Sequence, residues 1–363
     1  MLAGSPRDGM PSVSVVIPVR DDAARLEQCL EALETSEFRP LETIVVDDGS
    51  TDASGDVGRR RGARVLRLET SRGPAHARNR GAELAEGDLL FFVDADVLVF
   101  PDTIGVAARV LADGGPAAVI GSYDDRPGHP SFLSQYKNLF HHWVHQTSRE
   151  EAWTFWTGCG AIRRDVFLGL GGFNEGYAKP SIEDIELGFR LRARGHRIRL
   201  EKTMLARHTK EWRLVDLVRT DVLQRGVPWI ALMMRDRFAA SDLNISAESR
   251  HSTVLSYLLV LALAATPLRP EIWPWTVGFA ALAWSAVVWL HRGFYRFFVE
   301  KRGAWFALRV MPMHLLFFLY SGLCVPLGVL AHHADRRRAA RTRTGPGVRE
   351  LEPLRVDAKG AGS

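Results

Sequence analysis

Three cysteines, Cys29, Cys159 and Cys324, are all that the 363 residues contain, and no two of them stand at a C-x-x-C spacing. That scarcity excludes a disulfide framework and a cysteine zinc site, and a reducing compartment suits the chain best. No G-x-G-x-x-G follows the first apolar run and no G-x-x-x-x-G-K-[ST] occurs, so dinucleotide-cofactor and P-loop readings lose their signature. The opening MLAGSPRDGMPS carries Pro, Gly and charge where an export signal needs an apolar run. The expectation is therefore no cleavable leader, a disordered stretch over 1–11, and a cytoplasmic segment after it. Charge of one sign is also scarce, since 47 basic residues face 42 acidic ones for a net +5. With 46% hydrophobic and 25% charged residues, the average is that of a globular protein, which excludes a disordered or collagen-like chain.

What is present is unevenly distributed. Over 12–210, short β-branched runs alternate with helical stretches: SVSVVIPV, ETIVVDDGS and ARVLRLE read as strands, ARLEQCLEALETS and AHARNRGAELAEG as helices. DLLFFVDADVLVF reads as a further buried strand ending in acids. This βαβαβαβ order predicts an α/β, Rossmann-like domain with a mainly parallel sheet and helices on both faces. Ligands of such sheets bind beyond the carboxyl ends of the strands.

From Ser252 the composition changes, with long apolar stretches ending near Leu268, Leu290 and Leu330. The second and third are long enough for membrane spans, and the first is marginal. Trp273, Trp275, Trp289 and Trp305 sit at their ends, where an interfacial aromatic belt belongs. A buried helical hairpin would rarely be this long or apolar, so residues 252–332 are expected to be membrane-embedded. Residues 211–251 mix Leu, Val, Ile, Met and Trp with Arg at helical spacing, the pattern of amphipathic helices lying on a bilayer surface. Basic residues between His291 and Gly303, and in the tail over 333–363, both favour the cytoplasmic side. Three full spans cannot satisfy both, so either the last stretch, holding Arg309, Pro312, His314 and Pro326, is re-entrant or interfacial, or the tail breaks the rule. An Arg run beside a membrane segment meets anionic lipid more simply than nucleic acid, so no nucleic-acid partner is expected. Beyond about Thr342 the Gly-, Pro- and charge-rich end is expected to be disordered.

Asp94-Ala95-Asp96 is the strongest local signal. Two carboxylates one residue apart, the first polar residues after the buried FFV, can both turn towards a hard divalent cation that bridges a diphosphate. Asp47-Asp48-Gly49-Ser50 is a second acidic strand end, able to accept hydrogen bonds from a ribose or a base imide. Capping of the following helix would explain one of these acids but not both.

Five pieces in order, VVIPVRDD, ETIVVDDGSTD, RGPAHARNRGAELAEGDLLFFVDADV, TGCGAIRRDVFLGLGGFNEGY and SIEDIELGFRLRARGH, resemble the family 2 GT-A glycosyltransferases over about Val13 to His208. The resemblance implies that Pro18, Val19 and Asp48 contact the nucleotide base and ribose, that Arg78 and Asn79 lie near the diphosphate sugar, and that Asp94 and Asp96 hold Mg²⁺ or Mn²⁺ on the phosphates. It also implies that Asp184 is the catalytic base, with Glu183 a positioning neighbour, although Glu183, Asp184 and Glu186 would equally start a helix and favour its dipole. His208 could be a third metal ligand, as a His is in some GT-A enzymes, or a structural residue. Trp153 and Trp156 could stack on sugar rings or simply pack in the core.

The expected activity is an inverting, metal-dependent transfer of one sugar from a nucleotide-sugar to a hydroxyl or phosphate of a lipid-linked or saccharide acceptor, at the cytoplasmic face of the inner membrane. A processive polysaccharide synthase is the alternative, but Gln224-Arg225-Gly226-Val227-Pro228-Trp229 lacks the Q-x-x-R-W spacing such synthases carry. A non-catalytic scaffold would be expected to have lost an acid, yet Asp48, Asp94, Asp96 and Asp184 are all present. A nucleotidyltransferase would need a basic, Gly-rich loop that VIPVRDDAARL does not supply.

Overall fold

The computed structural model describes residues 9–112, 114–177, 179–236, 247–268 and 270–342, so the disorder expected at the extreme N-terminus and beyond Thr342 lies outside the described residues. The chain divides into two compact units, with the boundary between Arg213 and Leu214.

The first unit is built on strands β1 (Val13–Val19), β2 (Glu42–Asp47), β3 (Arg64–Arg67), β4 (Leu89–Val93), β5 (Val97–Val99), β6 (Ala118–Tyr123), β7 (Glu151–Ala152), β8 (Cys159–Arg163) and β9 (Ile198–His208). Seven helices accompany them: α1 (Ala23–Glu34), α2 (Ser54–Arg60), α3 (Pro74–Leu84), α4 (Thr103–Val110), α5 (Phe132–Thr147), α6 (Arg164–Gly169) and α7 (Glu183–Ala193). The main sheet runs β3-β2-β1-β4-β8-β6-β9-β5, with β7 beside β9. Strands β3, β2, β1 and β4 are mutually parallel, β8 is antiparallel to both its neighbours, and β6 and β9 are again parallel. The expected mainly parallel α/β sheet is thus present, with an antiparallel strand inserted beside β4. Central strands buried on both faces need continuous apolar runs, which is why VSVVIPV and LLFFV show little alternation. Val15, Ile17, Val45, Phe91 and Met204 belong to one buried cluster.

One strand of the sequence reading is two in the structure. DLLFFVDADVLVF stops pairing with β1 at Phe92, turns through Asp94–Asp96, and resumes as β5 at the far edge, where Val97 pairs with His208. Asp94 and Asp96, separated only by Ala95, would be costly to bury in a strand covered on both faces, and the chain leaves the sheet centre where these acids begin. The turn is closed by Val97 N–H donating to the Asp94 carbonyl at 3.0 Å.

The second unit is helical. Helix α8 (Leu214–Arg219) runs through a π-helical stretch, Thr220–Gly226, into α9 (Val227–Asp236), and is followed by α10 (Ala247–Ala265), α11 (Trp273–Leu290), α12 (Arg292–Arg302) and α13 (Ala304–Thr342). Three segments are long and apolar enough to cross a membrane: Glu248–Leu268, Trp273–Leu290 and Ala304–Arg337. Much of their outward surface is apolar, with Leu261, Leu282, Trp275 and Trp305 exposed, a surface that water disfavours and hydrocarbon accepts. The basic segment between the second and third stretches is a helix, α12, that buries Phe294, Tyr295, Phe297 and Phe298 and exposes Arg292, Arg296 and Lys301. The third stretch is one unbroken helix that contains both Pro312 and Pro326 and runs on through 333–342. Buried His314 in that helix is bonded through Nδ1 to the Tyr295 hydroxyl at 3.0 Å, which reduces the cost of a polar ring there.

Candidate functional site

Parallel pairing of β1, β2 and β4 brings their carboxyl ends to one edge of the sheet, and the acidic residues are concentrated there. At the end of β2, Asp48 is buried and its carboxylate is already engaged. Oδ1 accepts from Arg72 N–H at 2.9 Å, while Oδ2 accepts from the Ser71 hydroxyl at 2.7 Å and from Gly73 N–H at 2.9 Å. Asp48 therefore ties the 71–73 loop, which leads into α3, to the end of the sheet. The loop comes so close that a Cβ on Gly49 would lie 3.0 Å from Ser71 N, and Gly49 has a φ of +73°, so glycine is required there. Pro18 and Val19 lie beside Val46 and Asp47 in the β1–β2 register, with Pro18 half-buried and Val19 buried. Neighbouring Asp47 closes the turn by accepting from Ser50 N–H at 2.8 Å, and Asp52, rather than either strand-end acid, receives Ser54 N–H at the start of α2.

Helix α3 carries Arg78 and Asn79 into the interior, and their placements differ from each other. The Arg78 guanidinium is buried, with Nη2 donating to Asp94 Oδ1 at 2.7 Å and Nη1 to Glu183 Oε1 at 3.0 Å. Burial alone would lower the Arg78 pKa, but Asp94 and Glu183 outweigh it, so the charge is held firmly. Asn79 turns away from these acids. Its amide donates to the Phe173 carbonyl at 2.9 Å and to Glu175 Oε1 at 3.0 Å, and its oxygen accepts from Phe173 N–H at 2.8 Å. The resemblance implies a place for Asn79 near the diphosphate sugar together with Arg78; in this conformation its side chain is bonded to the loop that follows α6. From the middle of α3 its amide clamps the 172–175 loop, a contact that sequence spacing does not reveal.

Helix α7 opens with the two acids expected on the acceptor side. Glu183 is buried, with Oε1 on Arg78 and Oε2 accepting from Ser181 N–H at 2.9 Å. Asp184 is partly exposed, and its Oδ2 lies 3.4 Å from Thr157 N and 3.5 Å from Thr157 Oγ1. Glu183, Asp184 and Glu186 occupy the first turn of α7, as the helix-starting reading expects.

Asp96 and His208 meet across the β5–β9 pairing. His208 Nε2 is 3.3 Å from Asp96 Oδ2, and Thr209 secures the same turn by donating its N–H and hydroxyl to the Asp96 carbonyl, each at 2.9 Å. Burial pushes the Asp96 carboxyl up, but the His208 imidazole beside it prevails and draws it down to about 2. Sequence reading missed the groups around His208. Asn138 of α5 is bonded to His208 Nδ1 at 2.9 Å, and the Tyr123 ring stacks on the imidazole with centroids 4.8 Å apart and planes 9° apart. Both come from the segment between Gly121 and Thr157, where a lone Asn or Tyr carries no motif. His76 and Glu175, 2.8 Å apart, were also missed, because the contact joins α3 to a distant loop. Trp156 packs against Tyr123 and His141, at 4.8 and 4.7 Å between centroids, and Trp153 lies under the Arg192 guanidinium at 4.5 Å.

A mainly parallel sheet that breaks at a D-x-D turn, with a helix-borne acid pair joined to that turn through an arginine, defines a domain of the GT-A glycosyltransferase type. Residues 14–170 match the family model described as glycosyl transferase family 2. A validoxylamine A glucosyltransferase from Streptomyces hygroscopicus subsp. jinggangensis is 32% identical over 221 residues, 51% of this chain and 52% of that protein. The glycosyltransferase GlyG of Streptococcus pneumoniae is 33% identical over 116 residues, 31% of this chain and 38% of that protein. The chain thus spans about half or less of the length of these relatives. A mannosyltransferase from Pyrobaculum calidifontis, solved in complex with GDP-Man and Mn²⁺, superposes with a TM-score of 0.55 and 21% identity, covering 92% of this chain and 90% of that one. The last comparison speaks to the fold.

Proposed function

We propose that this chain transfers one sugar, with inversion, from a nucleotide-sugar to a hydroxyl or phosphate of a lipid-linked or saccharide acceptor, at the cytoplasmic face of the inner membrane. The observation that carries the reading is the Arg78 bridge, which joins the D-x-D acid Asp94 to Glu183, the neighbour of Asp184. Donor-side and acceptor-side acids separated widely in sequence are thereby gathered around one guanidinium.

The residues fit a divalent cation in their chemistry. Asp94 and Asp96 occupy one turn, and the His208 imidazole at the end of β9 lies beside it with Nε2 3.3 Å from Asp96 Oδ2, a set of hard oxygens and one nitrogen that suits such an ion. Among the described residues no three His, Cys, Asp or Glu side chains converge closely enough to hold a metal. Asp94, bonded to Arg78 in this structure, would supply a further oxygen on turning from it. Asp94, Asp96 and His208 would hold Mg²⁺ or Mn²⁺, which, when bound, neutralises charge developing on the leaving nucleoside diphosphate. The Mn²⁺ of the Pyrobaculum mannosyltransferase is in keeping with that choice.

The remaining steps belong to the chain. The end of β1 (Pro18, Val19) and the Asp48-held loop form the nucleotide seat, and Arg78 places positive charge between the diphosphate and the acceptor side. Asp184, the more accessible acid of its pair, takes the proton of an acceptor hydroxyl as that oxygen attacks the anomeric carbon. The bond from that carbon to the diphosphate oxygen breaks on the opposite side, the electron pair leaves with the nucleoside diphosphate, and the configuration inverts. A phosphate acceptor would attack as its oxyanion and need no base. Glu183, fixed by Arg78 and Ser181, positions the start of α7. The three long apolar segments and the amphipathic α12 support a bilayer partner, and through it a lipid-linked acceptor. Asp184→Asn tests the assignment. It should fold, bind donor and lose roughly 10²–10⁴-fold in kcat with a hydroxyl acceptor, whereas activity within a few-fold of the parent would remove Asp184 as base.

A further inference from the structure

We propose that Asn138 is a positioning residue that fixes the imidazole of His208 with Nε2 presented to the divalent cation. The inference rests on the reading of Asp94, Asp96 and His208 as the cation's ligands and goes beyond it by assigning the residue that aims the third of them.

Asn138 sits on α5 with 2% of its surface exposed, and its side-chain oxygen lies 2.9 Å from His208 Nδ1. An amide oxygen can only accept, so this contact places the ring proton on Nδ1. In the neutral imidazole the lone pair is then on Nε2, the nitrogen that faces Asp96. The plane of the ring is fixed separately by the Tyr123 stack, and its backbone by the pairing of His208 with Val97. Tautomer, plane and anchor point are thus set by three different elements, β6, β5 and α5.

Stability does not account for an Asn at this position. Its Nδ2 is buried and has no hydrogen-bond partner among the described residues, so half of the amide is desolvated without compensation. An apolar side chain of similar size would avoid that cost, of order 1–3 kcal/mol. What only the amide supplies is an acceptor for the Nδ1 proton, the role that outer partners of metal-bound histidines commonly fill.

The test is Mn²⁺ affinity of the full chain, followed by the loss of the free-ion paramagnetic resonance signal, in parent, Asn138→Leu, Asn138→Asp and His208→Ala proteins. The expected results are about 10- to 100-fold weaker binding for Asn138→Leu, recovery to within a few-fold for Asn138→Asp, which restores an acceptor oxygen, and weakened binding for His208→Ala. Thermal midpoints of the folded proteins separate loss of aim from loss of fold. If Leu is not tolerated, Asn138→Ala removes the oxygen without adding bulk and carries the same expectation. Weakened binding in His208→Ala with parental affinity in Asn138→Leu or Asn138→Ala overturns this inference alone. Parental affinity in His208→Ala removes His208 from the ligand set, and the inference falls with it.

Discussion

Asp94 and Glu183 share the guanidinium of Arg78, at 2.7 Å from Nη2 and 3.0 Å from Nη1. One acid belongs to the turn where the sheet breaks and the other to the first turn of α7, so the arginine bridges the two by hydrogen bonds. Without the guanidinium the two carboxylates would repel each other, and Arg78 and Glu183 have little access to water, whereas Asp94 is partly exposed.

Arg78→Ala should therefore do more than lose a contact. It leaves Glu183 buried and Asp94 half-buried without their counter-charge, a situation that costs about 3–5 kcal/mol in buried pairs. Chemical denaturation should show a loss near the lower end of that range, since Asp94 can reach solvent. Arg78→Lys offers a single point charge in place of a fork and should recover only part of the loss. Full stability in the Ala variant would mean that the two acids find other partners.

The loop at Gly172 is predicted to be intolerant of any side chain. Its φ is +69°, and a Cβ there would come within 2.5 Å of Asn79 Oδ1, the oxygen that receives Phe173 N–H. Gly172→Ala should lower stability by about 1–3 kcal/mol through strain and the broken clamp. If Asn79 serves the loop rather than the donor, Asn79→Ala should lower the thermal midpoint while leaving the donor Kd within a few-fold of the parent.

His145 makes a pH prediction. It is buried on α5, with Nδ1 bonded to the Gly121 carbonyl at 2.8 Å, and burial draws its pKa from 6.5 down to about 4. Between those values the unfolded chain binds a proton that the folded chain does not, so this residue's contribution to stability is intact above about pH 6.5 and is lost progressively as pH falls towards 4. Denaturation curves collected across that window should show a smaller decline in His145→Gln, which keeps a donor for Gly121 but does not titrate. An equal decline in the two proteins would assign the acid sensitivity elsewhere.

The α/β order of the first unit, the acidic strand ends and the three apolar stretches were all readable from residue pattern, because periodicity and composition carry them. What escaped reading was whatever depended on distant pairing. The strand written as DLLFFVDADVLVF is cut at Asp94 because β5 finds its partner in β9, far along the chain. The bond from the Asn79 amide to the Phe173 carbonyl, one residue round α3 from Arg78, was likewise invisible in the sequence. Asn138 and Tyr123 had no motif to mark them, since their value arises only when α5 and β6 are laid against His208. The last apolar stretch, with its prolines and His314, reads as re-entrant or interfacial unless the tail breaks the charge rule; it is one continuous helix through both prolines, a continuity that residue pattern does not indicate.

The most direct test of the account is a thermal-shift screen of the full chain with UDP-, GDP- and dTDP-sugars, each with Mn²⁺ and with a chelator. At 100 times its Kd a bound donor stabilises the fold by about 2.7 kcal/mol. The account predicts that one nucleotide class raises the midpoint with Mn²⁺, that the chelator abolishes the rise, and that the double substitution Asp94→Ala, Asp96→Ala folds but shows none. A donor-dependent rise that survives both the chelator and the double substitution would contradict it.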